Sequence, residues 1–451
     1  MQPLPTLRQA AYVWAQIAAN SFGGPAGQIA VMHRVLVQEE KWLSEERFLH
    51  GLNFCMLLPG PEAQQLCTWQ GWVGWGYRGG LLAGWLFVSP AFFSILWLSL
   101  LYAGWHEQPL VAAALAGAKA AVLAVVVEAA VRIGRRVLGG VAPKVVAAAA
   151  FTALFFFDLP FPLVIVGAGL AGALLPTLFP APKPPEARAA AQPPLLDGLI
   201  DAGALPHTAP DLRRDLLVGG ALAALWLAPT AVLWALGPSV WRDIATFFSQ
   251  AAVVTFGGAY SVLSWVVDHA VTEQGWLTTD EMLDALSLAE TTPGPLIQVV
   301  QFVGFMAASR QPGALPPTVA GVLGSVLTTW VTYWPSFAFV LAGAPWIERL
   351  RRIDRAATGL RAVTSAVVGV IANLSAWFTL HTWFAEVATT RVGPLRLLVP
   401  DLASFDPVAG AIAVGAAALL LWRKWPMLQV LAAGAAASLA VYGVRWLVGA
   451  G

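Results

Sequence analysis

Charge is scarce in this chain. Only 11% of its 451 residues are charged, against about 25% in soluble domains, which excludes an ordinary water-soluble globule. Cysteine is nearly absent, and Cys55 and Cys67 alone support neither a disulfide framework nor a zinc site. His33, His50, His106, His207, His269 and His381 are scattered, mostly at loop ends, and build no ligand cluster. A phosphate-binding GxxxxGKS or GxxxxGKT loop, an HExxH pair and a CxxC pair are all missing. An ATP-driven pump or a metal enzyme is therefore not expected, and no cofactor or metal is implied. A net charge of +1 says little by itself, and no nucleic-acid partner is expected. The opening residues carry no basic cluster, and Gln16 and Asn20 interrupt the first apolar run. That is a poor signal peptide, so the N-terminus is expected to be retained.

What the chain has instead is apolar length and repetition. Hydrophobic residues make up 58%, and 21 tryptophans suit the headgroup region of a bilayer. There is room for roughly ten membrane segments of ~20 residues each, plus a linker. Phe22-Gly23-Gly24, Trp42-Leu43, Pro59-Gly60-Pro61 and Gln64 recur as Phe256-Gly257-Gly258, Trp276-Leu277, Pro293-Gly294-Pro295 and Gln298, every pair 234 positions apart. Arg242 and Gln250 fall opposite Arg8 and Gln16 in the same register. Duplicated helix-breaking patterns in an apolar chain read as a transporter with internal repeats, in which broken helices meet at the bilayer midplane.

The expected organisation is a first repeat over 1–179, a linker with one unpaired span over 180–240, and a second repeat over 241–451. Eight prolines between Pro180 and Pro210 predict an extended polar linker as far as Arg214. Leu216 to Leu236 is an apolar run without a partner in the first repeat, and one extra crossing inverts whatever follows it. Charge agrees with inversion. Arg34, Lys41 and Arg47 follow the first Phe-Gly-Gly, whereas Asp268, Glu273, Asp280, Glu281 and Asp284 follow the second, with no Lys or Arg from 268 to 284. The turn at His106-Glu107-Gln108 lacks basic residues, and its counterpart holds Arg349, Arg351, Arg352 and Arg355. Asp158-Leu159-Pro160 likewise lacks them, and its counterpart holds Arg423-Lys424. Basic short loops mark the cytoplasmic side. Three matched reversals predict an all-α polytopic membrane protein of two homologous inverted-topology repeats. Its N-terminus, Arg34 to Arg47, Arg132 to Lys144 and the linker would be cytoplasmic. Spans are expected near 81–104, 110–131, 145–157 and 162–179. Arg8 to Lys41, broken at Gly23-Gly24-Pro25, and Ser44 to Tyr77, broken at Pro59-Gly60-Pro61, read either as re-entrant hairpins or as tilted spans with proline kinks.

Such breaks leave backbone groups unpaired and survive where protein or a polar cavity surrounds them. They also aim helix N-termini, with their positive dipole ends, into the protein, which suits an anion. Candidate substrate contacts are therefore Phe22, Gly23, Gly24, Pro59, Gly60 and Pro61 with Phe256, Gly257, Gly258, Pro293, Gly294 and Pro295. Gln64 and Gln298 would donate their amides to a bound oxygen. Lys119 sits roughly nine residues, or ~14 Å, from either end of its span, too deep to snorkel, and is expected to face the cavity. Arg361 is its approximate counterpart. Glu128 precedes Arg132 by one turn and reads as a simple ion pair. Glu62 and Glu290 flank the two breaks and are candidates for coupling protons to anion binding.

Ser21-Phe22-Gly23-Gly24-Pro25, Trp42-Leu43 and Leu58-Pro59-Gly60-Pro61-Glu62-Ala63-Gln64-Gln65 strongly resemble the chromate ion transporter family. Thr255-Phe256-Gly257-Gly258-Ala259-Tyr260, Trp276-Leu277 and Thr292-Pro293-Gly294-Pro295 resemble its C-terminal half, so the likeness is to the long, two-domain form. The resemblance implies a bacterial inner-membrane protein that exports chromate, with sulfate as a structural analogue and proton motive force as the energy source. Ala259 in place of a second Pro25, and a longer linker with an added span, depart from the family pattern. Chromate and sulfate are tetrahedral dianions, suited to helix N-termini, amides and one deep cation. An anion channel has similar breaks, and a membrane enzyme acting on a phosphorylated lipid would need an Asp/Glu/His cluster that is not present in the sequence. The oligomeric state stays open, a homodimer included.

Overall fold

The computed structural model describes residues 4–22, 24–179, 194–256, 258–347 and 354–449. Gly23, Gly257, the linker from 180 to 193 and the Arg349, Arg351 and Arg352 turn lie outside the described residues. In the first repeat the helices are α1 (Leu7–Ala19), α2 (Gly24–His33), α3 (Glu45–Leu57), α4 (Glu62–Trp105), α5 (Pro109–Val137), α6 (Val141–Phe155) and α7 (Phe161–Leu174). Then follow α8 (Leu195–Asp201) and α9 (Leu212–Leu236). The second repeat holds α10 (Val240–Val254), α11 (Ala259–Val267), α12 (Thr279–Thr291), α13 (Val299–Arg310), α14 (Pro317–Gly343), α15 (Asp354–Trp383), α16 (Pro407–Leu421) and α17 (Met427–Leu447).

The repeat is visible in local structure. A π-helical turn at Arg34–Glu39 is matched by one at Asp268–Glu273. Ser44 caps α3 by accepting from the Arg47 N–H, and Thr278 accepts from the Glu281 N–H at the start of α12. The Trp42 N–H donates to the Leu36 carbonyl at 2.8 Å, as the Trp276 N–H does to Ala270 at 2.7 Å. All of these pairs keep the 234-residue register. α4 is bent at Trp75–Gly76, where Gly76 has φ +64°.

Among the described residues five helices are long and apolar enough to cross a membrane, namely Glu62–Trp105, Pro109–Val137, Leu212–Leu236, Thr358–Trp383 and Met427–Leu447. The fold is that of an all-α polytopic membrane protein with broken helices. The spans expected near 81–104, 110–131 and 216–236 lie on α4, α5 and α9. Those expected at 145–157 and 162–179 lie on α6 and α7, which have 15 and 14 residues, shorter than the ~20 that a straight crossing takes.

Two local expectations are corrected. The region from 194 to 211 is not an extended linker, because α8 folds there and Leu196 is buried, with its N–H on the Trp42 carbonyl at 2.9 Å. Three leucines and an isoleucine within seven residues give α8 an apolar face, and burying it outweighs the preference of the surrounding prolines for extended chain. The second repeat also contains a β-hairpin, β1 (Val387–Val392) with β2 (Leu395–Pro400), closed by Gly393 at φ +60°. Its β-branched residues and a glycine at positive φ in a two-residue turn are hairpin chemistry. Arg391 reaches Asp158 at 2.9 Å, and Arg396 pairs with the same carboxylate. The hairpin thus brings two arginines to the Asp158 turn, where the first repeat has no basic residue of its own.

The helices pack into two compact units, and neither coincides with one repeat. Unit one comprises 1–94, 180–259 and 292–358, and unit two 95–179, 260–291 and 359–451. Within unit one, Trp14, Phe48, Phe54, Trp72 and Phe337 are fully buried. The unpaired span α9 is held to α14 by Trp334 and Trp330, whose indole N–H groups donate to the Leu222 and Leu225 carbonyls at 2.8 and 3.1 Å. Within unit two, α5 packs against α12, α16 and α17. A Cβ on Gly117 would lie 2.1 Å from the Gly434 carbonyl oxygen, so α5 and α17 approach through small residues, as membrane helices do.

Candidate functional site

The four glycine breaks all belong to unit one, and they dock on one another across the repeats. Proline fixes its own φ and lacks an N–H, so each Pro-Gly-Pro has one backbone donor, its glycine. The Gly60 N–H donates to the Thr255 carbonyl at 2.8 Å, and the Gly294 N–H to the Ser21 carbonyl at 2.8 Å. Gly60 and Gly294, like Ser21 and Thr255, are 234 residues apart. The two bonds are one contact made reciprocally, the signature of a two-fold relation. Gly60 has φ +125° and Gly294 φ +107°, a region that side-chain-bearing residues avoid. The Gln28 amide adds a bond to the Gly294 carbonyl at 2.6 Å. A Cβ on Gly258 would stand 3.6 Å from the Pro25 ring, so the two Phe-Gly-Gly breaks face each other. Behind Pro61, Gln65 returns its amide to the Pro59 carbonyl at 2.7 Å and locks the turn.

Both expected glutamines are buried. In this structure the Gln64 amide NH2 donates to Thr68 Oγ1 at 3.1 Å, while Gln298 donates to Thr329 Oγ1 at 3.0 Å and to the side-chain oxygen Oε1 of Gln301. Their Oε1 atoms are buried and lack a partner. A hydroxyl both donates and accepts, so turning the Gln64 amide over keeps the Thr68 bond and frees its NH2 for a ligand oxygen. Glu62 is buried at the start of α4.

Lys119, Arg361 and Glu290 belong to unit two and are partnered there. Lys119 does not present an unoffset charge. Its Nζ lies 3.1 Å from Asp280 and 3.5 Å from Asp284, both on α12. The Tyr102 hydroxyl donates to Asp284 at 2.8 Å. These carboxylates are 161 and 165 residues from Lys119, beyond any spacing argument along its own helix. Arg361 donates to the Phe179 carbonyl at 2.7 Å. Glu290 accepts from the Tyr260 hydroxyl and is buried. The Glu128–Arg132 pair expected from i, i+4 spacing is present at 3.6 Å. Among the described residues no group of three His, Cys, Asp or Glu side chains is placed to hold a metal. Sequence reasoning passed over Gln65 and Ser336. Gln65 is one letter of a longer motif, and Ser336 sits in an aromatic helix with no repeated signature around it.

Reciprocally docked breaks in buried backbone, in a chain with five helices of membrane-crossing length among the described residues, define a polytopic membrane protein of the broken-helix kind on which solute carriers are built. Residues 8–173 and 242–439 match the chromate transporter family, and the chain belongs to that family. A chromate transport protein of Pseudomonas aeruginosa is 32% identical over 78% of this chain and 76% of its own length. A probable chromate transport protein of Synechococcus elongatus is 28% identical over 83% and 84%. A chromate transport protein of Cupriavidus metallidurans is 24% identical over 95% of both. No solved structure matches.

Proposed function

We propose that the chain is a secondary transporter that exports chromate across the bacterial inner membrane, with the site at the docked breaks of unit one. The reciprocal bonds Gly60 to Thr255 and Gly294 to Ser21 carry this reading. They put helix-breaking backbone from both repeats together in a buried polar setting, while chromate comes from the names of the relatives. Gln64 and Gln298, beside the two Pro-Gly-Pro turns, contact the anion. Outward movement of a dianion from a negative-inside cell is assisted by ~2.3 kcal/mol per charge per 100 mV. Protons enter through Glu62, since a buried carboxylate beside an anion binds it best when protonated. Labelled chromate is expected to accumulate in inverted vesicles in a saturable manner, faster with an imposed pH gradient, and Glu62→Gln is expected to remove the gradient effect. Unchanged uptake across all conditions, relative to vesicles lacking the protein, refutes the reading. Preferred accumulation of labelled sulfate would make the protein a sulfate carrier, and non-saturating flux without counterflow would make it a channel.

The two-fold relation is further read as an axis in the membrane plane, with the 34–47 segment cytoplasmic and the 268–284 segment periplasmic, as the reversed loop charges suggest. An impermeant thiol reagent added outside the cell is expected to modify Thr272→Cys and leave Gln38→Cys untouched. Equal labelling of the two would mean that the repeats run parallel.

A further inference from the structure

α14 is 27 residues long, and Ser325, Thr328, Thr329, Thr332 and Ser336 are all buried along it. Thr328, Thr332 and Ser336 recur at every fourth residue, so they line one face over ~12 Å. That face is about 200° around the helix from Trp334, which is turned to α9. Hydroxyls in helices usually return to the carbonyl one turn back. Several in this chain do so, as at Ser89, Ser99, Ser365 and Ser375, at 2.6–2.8 Å, whereas Thr230, Ser249 and Thr382 are isolated exceptions on three other helices. On α14 the hydroxyls of Thr328, Thr332 and Ser336 are buried without a partner. Three such groups in register on one helix are costly to keep unless something bonds to them.

One end of the row meets the first break, and at the other Thr328 Oγ1 lies against Gly304 of α13, the helix that follows the second break. Thr329, beside Thr328, accepts from Gln298 at 3.0 Å. At the other end a Cβ on Gly60 would stand 2.3 Å from Ser336 Oγ and 2.8 Å from Gln65 Nε2, so the serine lies against the first Pro-Gly-Pro turn. The Oε1 atoms of Gln298 and Gln65 are also buried and unpartnered.

We propose that Thr328, Thr332 and Ser336 form an uncharged hydroxyl track on α14 along which a tetrahedral oxyanion passes between the Pro293–Pro295 and Pro59–Pro61 breaks. The proposal rests on the transport reading above and adds residues to the same site. Each hydroxyl donates one hydrogen bond to an anion oxygen without contributing fixed charge. Successive weak sites let an anion enter and leave, where a buried cation would hold it.

The test uses the full chain in proteoliposomes with labelled chromate. Thr332→Val and Ser336→Ala remove hydroxyls that have no protein partner, so the melting temperature and yield are expected to stay the same or rise. Chromate kcat/KM is expected to fall about tenfold for each, as for a lost hydrogen bond to a charged ligand. Parental kcat/KM in both variants overturns the track. The second measurement does not depend on transport. In a Cys55→Ala/Cys67→Ala background, the thiol introduced by Thr332→Cys is expected to react with a small anionic thiosulfonate, and chromate is expected to slow that reaction. An inert thiol overturns the track, and a reactive thiol that chromate does not protect overturns its anion role in favour of water. If the parent moves no chromate, the transport reading fails, and reactivity with protection by sulfate still supports an oxyanion track.

Discussion

Gly60→Ala is expected to abolish chromate uptake and to lower the thermal stability of the protein, and Gly294→Ala is expected to do the same. A side chain at φ +125° or +107° costs about 1–3 kcal/mol of backbone strain. There is no room for it either. The new methyl on residue 60 would meet Ser336 Oγ at 2.3 Å and Gln65 Nε2 at 2.8 Å, and on residue 294 it would meet the Ala91 methyl at 2.8 Å. Overpacking of that kind adds about 1–3 kcal/mol. Relief of either strain moves the glycine N–H away from Thr255 or Ser21, so the damage passes to the Phe-Gly-Gly break of the other repeat. Because the two positions are equivalent, the two variants should fail to a similar degree. Gly167→Ala is the control. Nothing lies within 4 Å of its Cβ position, and an alanine in a helix is neutral to slightly favourable there. Uptake and melting of Gly60→Ala indistinguishable from those of Gly167→Ala would show that the docked breaks are not needed.

The breaks were legible in the sequence because glycine and proline constrain the backbone by themselves, whatever surrounds them. A Pro-Gly-Pro that recurs at a fixed distance with Phe-Gly-Gly and Trp-Leu specifies local structure twice over. The π-turns at 34–39 and 268–273 and the matched caps at Ser44 and Thr278 follow that register. The same logic found the Glu128–Arg132 pair, since i, i+4 contacts need one helix only. What the sequence could not show is the set of contacts made by tertiary packing. Gly60 could as well have turned its N–H to a ligand as to Thr255. Lys119 meets its carboxylates through α12, and only the packing of α5 on α12 brings them within 4 Å. The Asp158 turn acquires Arg391 and Arg396 from an inserted hairpin, so counting charges in matched loops missed them. The polar face of α14 was hidden differently. Its hydroxyls alternate with Trp330, Tyr333, Trp334 and Phe337, and only the structure separates hydroxyls that bond back along the helix from those that do not.

Lys119→Gln is expected to reduce the amount of folded protein in the membrane, and Lys119→Asn/Asp284→Asn or Lys119→Gln/Asp284→Asn to restore it. Lys119 and Asp284 are mostly withdrawn from solvent, with side chains 18% and 8% exposed, whereas Asp280 is 78% exposed. An exposed partner contributes about 1 kcal/mol or less, so Asp280→Asn should be nearly silent. Asp284 is the consequential partner. Without the lysine its carboxylate stays buried with the Tyr102 hydroxyl at 2.8 Å, and among the described residues no second cation pairs with it. Breaking a buried ion pair from one side costs about 3–5 kcal/mol, while replacing both members by neutral groups costs far less. Lys119→Arg keeps the charge and should keep most of the protein. Yield and chromate uptake per folded molecule, measured on the same vesicles, separate a structural role from a substrate role. Low yield that recovers in the double variant, with uptake per molecule close to the parent, makes the pair a clamp between α5 and α12. Normal yield of Lys119→Gln with uptake per molecule lost, and no recovery on adding Asp284→Asn, would mean that the ammonium serves the anion after all.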